Sequence, residues 1–188
     1  MGKMTWDERY LNTWEGEVRE PAQFLKDNLA RLPGGKALDL AMGVGQNAIY
    51  LAGNGYEVKG IDSSQVAVEK TLKFAREKGV TIQVEKADLS NYTIPTEVYD
   101  VILNFYFLER NLIPQIKKAL KTGGMVIFET YTMEHQKYDN PFNPNYLLQE
   151  NELLHSFLDF KILFYQEGVV EKDGIKKAIA SLIAQKIR

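Results

Sequence analysis

Asp39-Leu40-Ala41-Met42-Gly43-Val44-Gly45-Gln46-Asn47 is the stretch that decides the fold. The short apolar run Ala37 to Ala41 leads into it and reads as a buried strand. Met42 to Gly45 is then a turn, and a helix runs from about Gln46 to Ala52 until Gly53-Asn54-Gly55 stops it. Gly43 and Gly45 let the backbone bend tightly and let a ligand come close where a Cβ would clash. The helix start aims free N–H groups and a positive dipole end at the same spot, which suits an anionic group.

The same rhythm continues downstream. Tyr56 to Ile61 reads as a strand closed by Asp62, and Ser63 or Ser64 can cap the helix that follows. Its apolar face is Val68, Leu72 and Ala75, and Gly79 ends it. Val80 to Val84 alternates as a third strand, Val98 to Phe105 forms a fourth, and Met125 to Tyr131 a fifth. Ile113, Ile116 and Leu120 mark a helix stopped at Gly123-Gly124. A polar loop with Pro141 and Pro144 breaks the rhythm and precedes a short helix near Glu150 to Phe157. Phe160 to Tyr165 and Ala178 to Lys186 then read as a hairpin across a charged turn. Upstream, Pro21 suits a first helical position, with Ala22, Leu25, Leu29 and Leu32 at helical spacing before Pro33-Gly34-Gly35. Alternating strands and helices predict an α/β fold: a doubly wound, Rossmann-like, mostly parallel sheet with helices on both faces, ending in an antiparallel hairpin. One domain over 1–188 is the expectation, with residues 1–20 as an arm. Trp6, Tyr10 and Trp14 are too many aromatics for a disordered tail, so this arm should pack, and it could close as a lid.

Composition narrows the function. The 188 residues are 45% hydrophobic, enough for a sizeable core, and the net charge is -2, which argues against a broad nucleic-acid surface. Cysteine is absent, which removes thiolate nucleophiles and Cys-based metal sites. Only His135 and His155 are present, so no three-His metal site exists, and no metal is expected. No apolar run is long enough for a membrane span, and Met1 to Tyr10 lacks the apolar core of a signal peptide, so a cytoplasmic location is expected.

Open parallel sheets bind ligands beyond the carboxyl ends of their strands, where strand order reverses. Asp62 ends the second strand and can take both hydroxyls of a ribose. Asp88, after the third strand, can accept from an exocyclic amine. Alone, Gly-x-Gly is often structural, Asp62 a helix cap and Asp88 a turn residue. Their joint placement at successive strand ends points to a nucleoside-containing ligand. Gly43 to Ala48 also fits G-x-G-x-x-A, so an NAD(P)-dependent oxidoreductase competes. Against it, Asp39 lies inside the first strand and no second mononucleotide-binding half is visible. No Gly-Lys-Ser/Thr follows the glycines, so a Walker-type loop is excluded.

The stretch from Asp39 to Asn47, then Gly60-Ile61-Asp62 and Ala87-Asp88-Leu89, resembles the class I S-adenosylmethionine-dependent methyltransferases. Within them it is most similar to the small tellurite-resistance-type branch, whose D-L-x-x-G-x-G-x-N signature it carries. Glu150 to Leu153 and Ala180 to Lys186 add to the likeness, which covers nearly everything from Trp6 onward. Ala41, Met42 and Gln46 depart from a frequent Gly, Cys and Arg of that pattern. The resemblance implies S-adenosylmethionine, or its product S-adenosylhomocysteine, as cofactor and in-line methyl transfer that works mainly by proximity. It places Asp39 near the methionine end of the donor, with Ala41, Gly43, Gly45 and Asn47 around it. Asp62 and Ser63 fall at the ribose, Ala87, Asp88 and Leu89 at the adenine, and Asn104 to Phe107 at the methyl-transfer centre.

On the acceptor side, Phe105 and Phe107 share a face and read as core, while Tyr106 faces the other way as a catalytic candidate. Tyr10 is a donor-covering candidate. His135, in the loop after the fifth strand, is the candidate general base, and His155 reads as a surface or packing residue. The expected partner is a small-molecule acceptor, with no nucleic acid or membrane. A noncatalytic nucleoside-binding subunit stands as the alternative from another functional class.

Overall fold

The structure is a computed structural model that describes residues 5–13, 18–139, 143–172 and 174–188. Trp14, Pro141 and the centre of the hairpin turn at Asp173 lie outside the described residues. Seven strands form one sheet: β1 Lys36–Leu40, β2 Glu57–Asp62, β3 Gln83–Lys86, β4 Tyr99–Phe105, β5 Leu120–Tyr131, β6 Lys161–Lys172 and β7 Ile175–Gln185. The order is β3-β2-β1-β4-β5-β7-β6. The first five strands run parallel, while β7 lies antiparallel to both β5 and β6. The expected doubly wound sheet with an antiparallel end is therefore present. Strand order reverses between β1 and β4, which fixes the crevice at their carboxyl ends.

Among the described residues six α-helices surround the sheet: α1 Trp6–Thr13, α2 Gln23–Asn28, α3 Gln46–Gly53, α4 Gln65–Glu77, α5 Ile113–Ala119 and α6 Glu152–Ser156. Alternation along the strands feeds two cores. Ala37, Val58, Val101, Leu103 and Ile127 pack with Leu25, Ala48, Leu51 and Phe74 of α2, α3 and α4. Leu38, Leu40, Ile61, Ile102, Val126 and Phe128 pack with Ile113 and Ile116 of α5, Leu153 of α6 and Phe157 just after it. A sheet buried on both faces reads as continuous apolar runs, as β1 and β4 do.

Several boundaries and one face differ from the sequence reading, and the hairpin strands run longer, as Lys161–Lys172 and Ile175–Gln185. Pro21 precedes α2, whose N-cap is Ala22. β3 starts at Gln83 rather than Val80, because the Val80 amide donates to Ala75 O and the Gly79 amide to Arg76 O, a C-terminal motif that holds Val80 on the helix. α5 ends at Ala119, and Gly123-Gly124 lies inside β5. Phe105 and Phe107 do not share a face: Phe105 joins the α3–α4 core and Phe107 the α5–α6 core. The left-handed backbone of Tyr106 (φ 54°) breaks the alternation between them.

No helix among the described residues is long and apolar enough to cross a membrane.

Candidate functional site

At the switch point a cleft of about 570 Å³ opens over the ends of β1, β2 and β4. That volume suits a small-molecule site. Two non-glycine residues take left-handed backbone at its edge: Ala41 (φ 51°), just after β1, and Tyr106, just after β4. Such conformations cost of order 1–3 kcal/mol each and cluster where function requires them.

The floor is built from the end of β1. Asp39 is buried, and its Oδ2 lacks a hydrogen-bond partner. Burial pushes its carboxyl up to about 8, opposed by the Ala48 amide and assisted by the nearby Asp62 charge. Gln46, the first residue of α3, lines the same cleft, and its buried Oε1 also lacks a partner. Among the described residues these are the two buried side-chain polar atoms left unsatisfied. A buried acceptor without a donor costs about 1–3 kcal/mol, so the pair is primed for a cationic or hydrogen-rich ligand group.

The glycine turn divides its work. Gly43 (φ 59°) lines the cleft, and a Cβ there would lie 3.1 Å from the Tyr10 hydroxyl. Gly45 (φ 80°) does not face the cleft; a Cβ there would come within 2.4 Å of Thr71 Cγ2 on α4. Its role is close packing of turn against helix. Asn47 lines the cleft, yet its Oδ1 accepts the Ala22 amide at 2.8 Å and ties the segment ahead of α2 to α3.

At the end of β2, Asp62 Oδ2 accepts the Gly43 amide and Oδ1 the Ser64 amide, both at 2.9 Å. Burial raises its carboxyl, and these amides counter the rise. Ser63 lines the cleft, whereas Ser64 caps α4 by accepting the Ala67 amide. After β3, Ala87 and the buried Leu89 line the far wall. Asp88 sits exposed at the rim, with Oδ1 accepting the Ser90 amide and hydroxyl in a tight turn that lowers its carboxyl.

α1 covers one side. Trp6 and Tyr10 line the cleft with ring centroids 6.0 Å apart. Asp7 accepts from the Ser64 hydroxyl, and Lys70 Nζ donates to Tyr10 O at 2.6 Å, so α1 is fastened along α4. Burial holds the Tyr10 phenol above its usual range.

At the end of β4 Tyr106 lines the cleft and Asn104 does not. The Asn104 amide donates to Phe107 O at 2.7 Å and shapes the turn behind the wall. Tyr146 reaches the cleft from the loop after β5. His135 stays outside: it is buried, stacked on Tyr131 at 4.1 Å, and its Nδ1 lies 3.4 Å from the Ala178 amide. Burial lowers its imidazole below the usual range. His155 is exposed on α6.

The sequence reading passed over Gln46 as a mere departure and missed Glu129 altogether. Glu129 is buried on β5 and accepts both the Tyr106 hydroxyl (2.9 Å) and the Ser181 hydroxyl (2.7 Å). No spacing signal marks it, because it is one polar residue inside an apolar strand.

A second groove, of about 590 Å³, runs along α5 to the end of β7. Its Arg110 and Lys117 are paired with Glu152 and Asp159, and it touches none of the strand-end acids.

Comparison with known proteins places this geometry. The chain is 29% identical over 141 residues to hemagglutinin 1 of Eikenella corrodens, covering 71% of this chain and 46% of that protein. It is 28% identical over 165 residues to the probable S-adenosyl-L-methionine-dependent methyltransferase TehB of Haemophilus influenzae, covering 80% of this chain and 57% of that protein. The chain thus spans about half the length of the curated relatives it matches. The crystal structure of TehB from Haemophilus influenzae superposes with a TM-score of 0.79 at 22% identity, covering 96% of this chain and 67% of that one. The family model described as tellurite resistance protein TehB matches residues 8–178, and the chain belongs to that family.

Proposed function

We propose that this chain transfers a methyl group from S-adenosylmethionine to a small, soft nucleophile. The observation that carries this reading is the buried, unpartnered Asp39 Oδ2 in the floor of the cleft, which Gln46, with its own unpartnered Oε1, also lines. The donor's amino acid end brings an ammonium, whose N–H groups can satisfy Gln46 Oε1 and an Asp39 carboxyl that gives up its proton on binding. When bound, the donor supplies a sulfonium methyl open to in-line attack.

The chain's residues bind and orient. Asp39 and Gln46 hold the ammonium. Ala41, Gly43, Asn47 and Ser63 shape the wall. Asp62 takes the ribose hydroxyls with lone pairs beyond those its two amides occupy. Ala87, Asp88 and Leu89 border the adenine, while Trp6 and Tyr10 on α1 exclude water. Gly45 and Asn104 act from behind, by packing α4 and by shaping the Tyr106 turn. Such an arrangement works through proximity and orientation, worth several kcal/mol. The name of the Haemophilus influenzae relative supports the donor, and it disfavours the oxidoreductase reading.

A near-neutral composition and the arrival of Tyr146 from the Thr132–Tyr146 loop support a small acceptor. Calorimetric titration should show S-adenosylmethionine binding and no NAD(P)H binding. A S-adenosylhomocysteine-release assay should then show turnover with members of a panel of thiols, selenium and tellurium oxyanions, amines and phenols. Methylation of folded RNA or protein, with no turnover of any small acceptor, would overturn the acceptor assignment.

A further inference from the structure

From Tyr106 and Glu129 we infer that the acceptor arrives carrying a removable proton, as a thiol rather than a preformed anion, and that this pair takes that proton. The inference rests on the methyl-transfer reading above and deepens it.

The argument begins with the direction of one hydrogen bond. Tyr106 lines the cleft, and its hydroxyl lies 2.9 Å from Glu129 Oε1. A carboxylate only accepts, so the phenolic proton points at Glu129. An acceptor that reaches the Tyr106 oxygen from the cleft therefore meets lone pairs alone, and the site selects a partner that donates. A naked soft anion would meet those lone pairs with repulsion.

Three features hold the pair in register. The Tyr106 amide donates to Glu129 O at 2.8 Å, so backbone and side chain are both fixed to the same residue. Ser181 on β7 donates to Glu129 Oε2 at 2.7 Å and fixes the carboxylate plane. Tyr106 keeps its left-handed backbone at the cleft edge despite the cost of that conformation. The surrounding groups are Lys177 of β7, with Nζ 5.3 Å from the Tyr106 ring centre, and Tyr131 of β5, with ring centroids 5.0 Å apart. His135 and Asp139 lie beyond Tyr131. Burial and the Glu129 charge hold the Tyr106 phenol above its usual range, so Tyr106 works as a relay and not as a standing phenolate.

The step balances as follows. The acceptor S–H bond breaks and its proton passes to the Tyr106 oxygen, while the phenolic proton moves to Glu129 Oε1. The electron pair left on the acceptor sulfur forms the new S–C bond. The donor S–CH3 bond breaks with its pair staying on the donor sulfur, which becomes a neutral thioether. Glu129, now protonated, returns the proton through Tyr106 to solvent. An ordinary thiol, with a pKa of about 8.5, is mostly protonated at neutral pH, so removing its proton inside the site has a clear use. Tyr106 is the catalytic residue; Glu129 acts through it as a positioning residue.

The test uses Glu129→Gln and Tyr106→Phe with alkyl thiols of graded acidity and a thioether as the proton-free control. Both variants should bind S-adenosylmethionine as the parent does and lose at least tenfold in kcat/KM for thiols at pH 7. That loss should shrink as pH rises past the thiol's own pKa, and the double variant should be no worse than either single one. A merely structural role would give a loss independent of pH and of thiol acidity, and that result would overturn the relay. Turnover of thioethers but not thiols by the parent enzyme would overturn it too. Absence of S-adenosylmethionine binding in the parent would instead bring down the underlying methyl-transfer reading.

Discussion

The Asp62 carboxylate accepts the Gly43 amide at 2.9 Å, which ties the end of β2 to the turn after β1. The proposed ribose ligand is thus also a clamp on the turn after β1. Asp62→Ala is expected to weaken S-adenosylmethionine binding by about 1–3 kcal/mol, the scale for lost charged hydrogen bonds. It should lower stability as well, since the Gly43 and Ser64 amides lose their acceptor. Calorimetry and urea unfolding read the two effects separately. A folded variant with parental donor affinity refutes the ribose assignment.

Gly45 and Gly43 should behave differently, although sequence alone gives them one role. Gly45→Ala places a Cβ within 2.4 Å of Thr71 Cγ2 on a left-handed backbone. The expected cost is about 1–3 kcal/mol of stability. Adding Thr71→Ala should recover part of it in a thermal melt, because it removes the atoms in conflict. Gly43→Ala shares the left-handed backbone strain but meets only the Tyr10 side chain, nearest at 3.1 Å, so it should cost less stability than Gly45→Ala and disturb donor affinity more. Equal loss of stability in the two variants would contradict this division.

The contrast shows what the sequence carries and what it withholds. The strand–turn–helix rhythm around Asp39 to Asn47 follows from local patterning, so the parallel sheet and the switch point were legible. Asp62 and Asp88 were placed at strand ends by counting, and both border the cleft. The packing partner of Gly45 lies 26 residues away on α4, and the Asn47 partner Ala22 lies 25 residues back. No local pattern reports such contacts. Phe107 changed face because Tyr106 adopts a backbone that its residue type seldom takes. Glu129 was invisible because its partners, Tyr106 just past β4 and Ser181 inside β7, lie far from it in sequence.

Asp39 makes stability depend on pH in a direction opposite to that of a salt-bridged acid. Its folded pKa is raised from 3.8 to about 8, so between those values the folded state holds a proton that the unfolded state has lost. The contribution to stability is full below the unfolded value, falls as pH rises through this window, and levels off above about 8. Asp39→Asn should remove that fall, so urea midpoints at pH 5 and pH 8.5 should differ less than in the parent. Binding the donor ammonium favours the ionised carboxylate. Donor binding at pH 7 should therefore release a proton, seen as a binding enthalpy that varies with the ionisation enthalpy of the buffer. A parental slope in the variant, or no proton release in the parent, would contradict the burial argument.

His135 supports Tyr106 from behind, through Tyr131. It is 2% exposed, and its ring stacks on Tyr131, which in turn lies against Tyr106. Outside the cleft lining, it cannot reach an acceptor as a base without moving. His135→Ala should therefore slow turnover only a few-fold, far from the roughly 10²–10⁴ lost with an essential general base. The larger effect should be on stability, a loss of about 1–3 kcal/mol from the cavity left beside Tyr131. The pH dependence follows from burial, which lowers the imidazole below 6.5 in the folded state. Stability from the neutral ring is then full above the unfolded pKa and is lost as pH falls through the folded one. His135→Gln should flatten that acid-side loss while keeping a polar group near the Ala178 amide. A hundredfold or greater fall in kcat in a variant of parental stability would return His135 to the reaction.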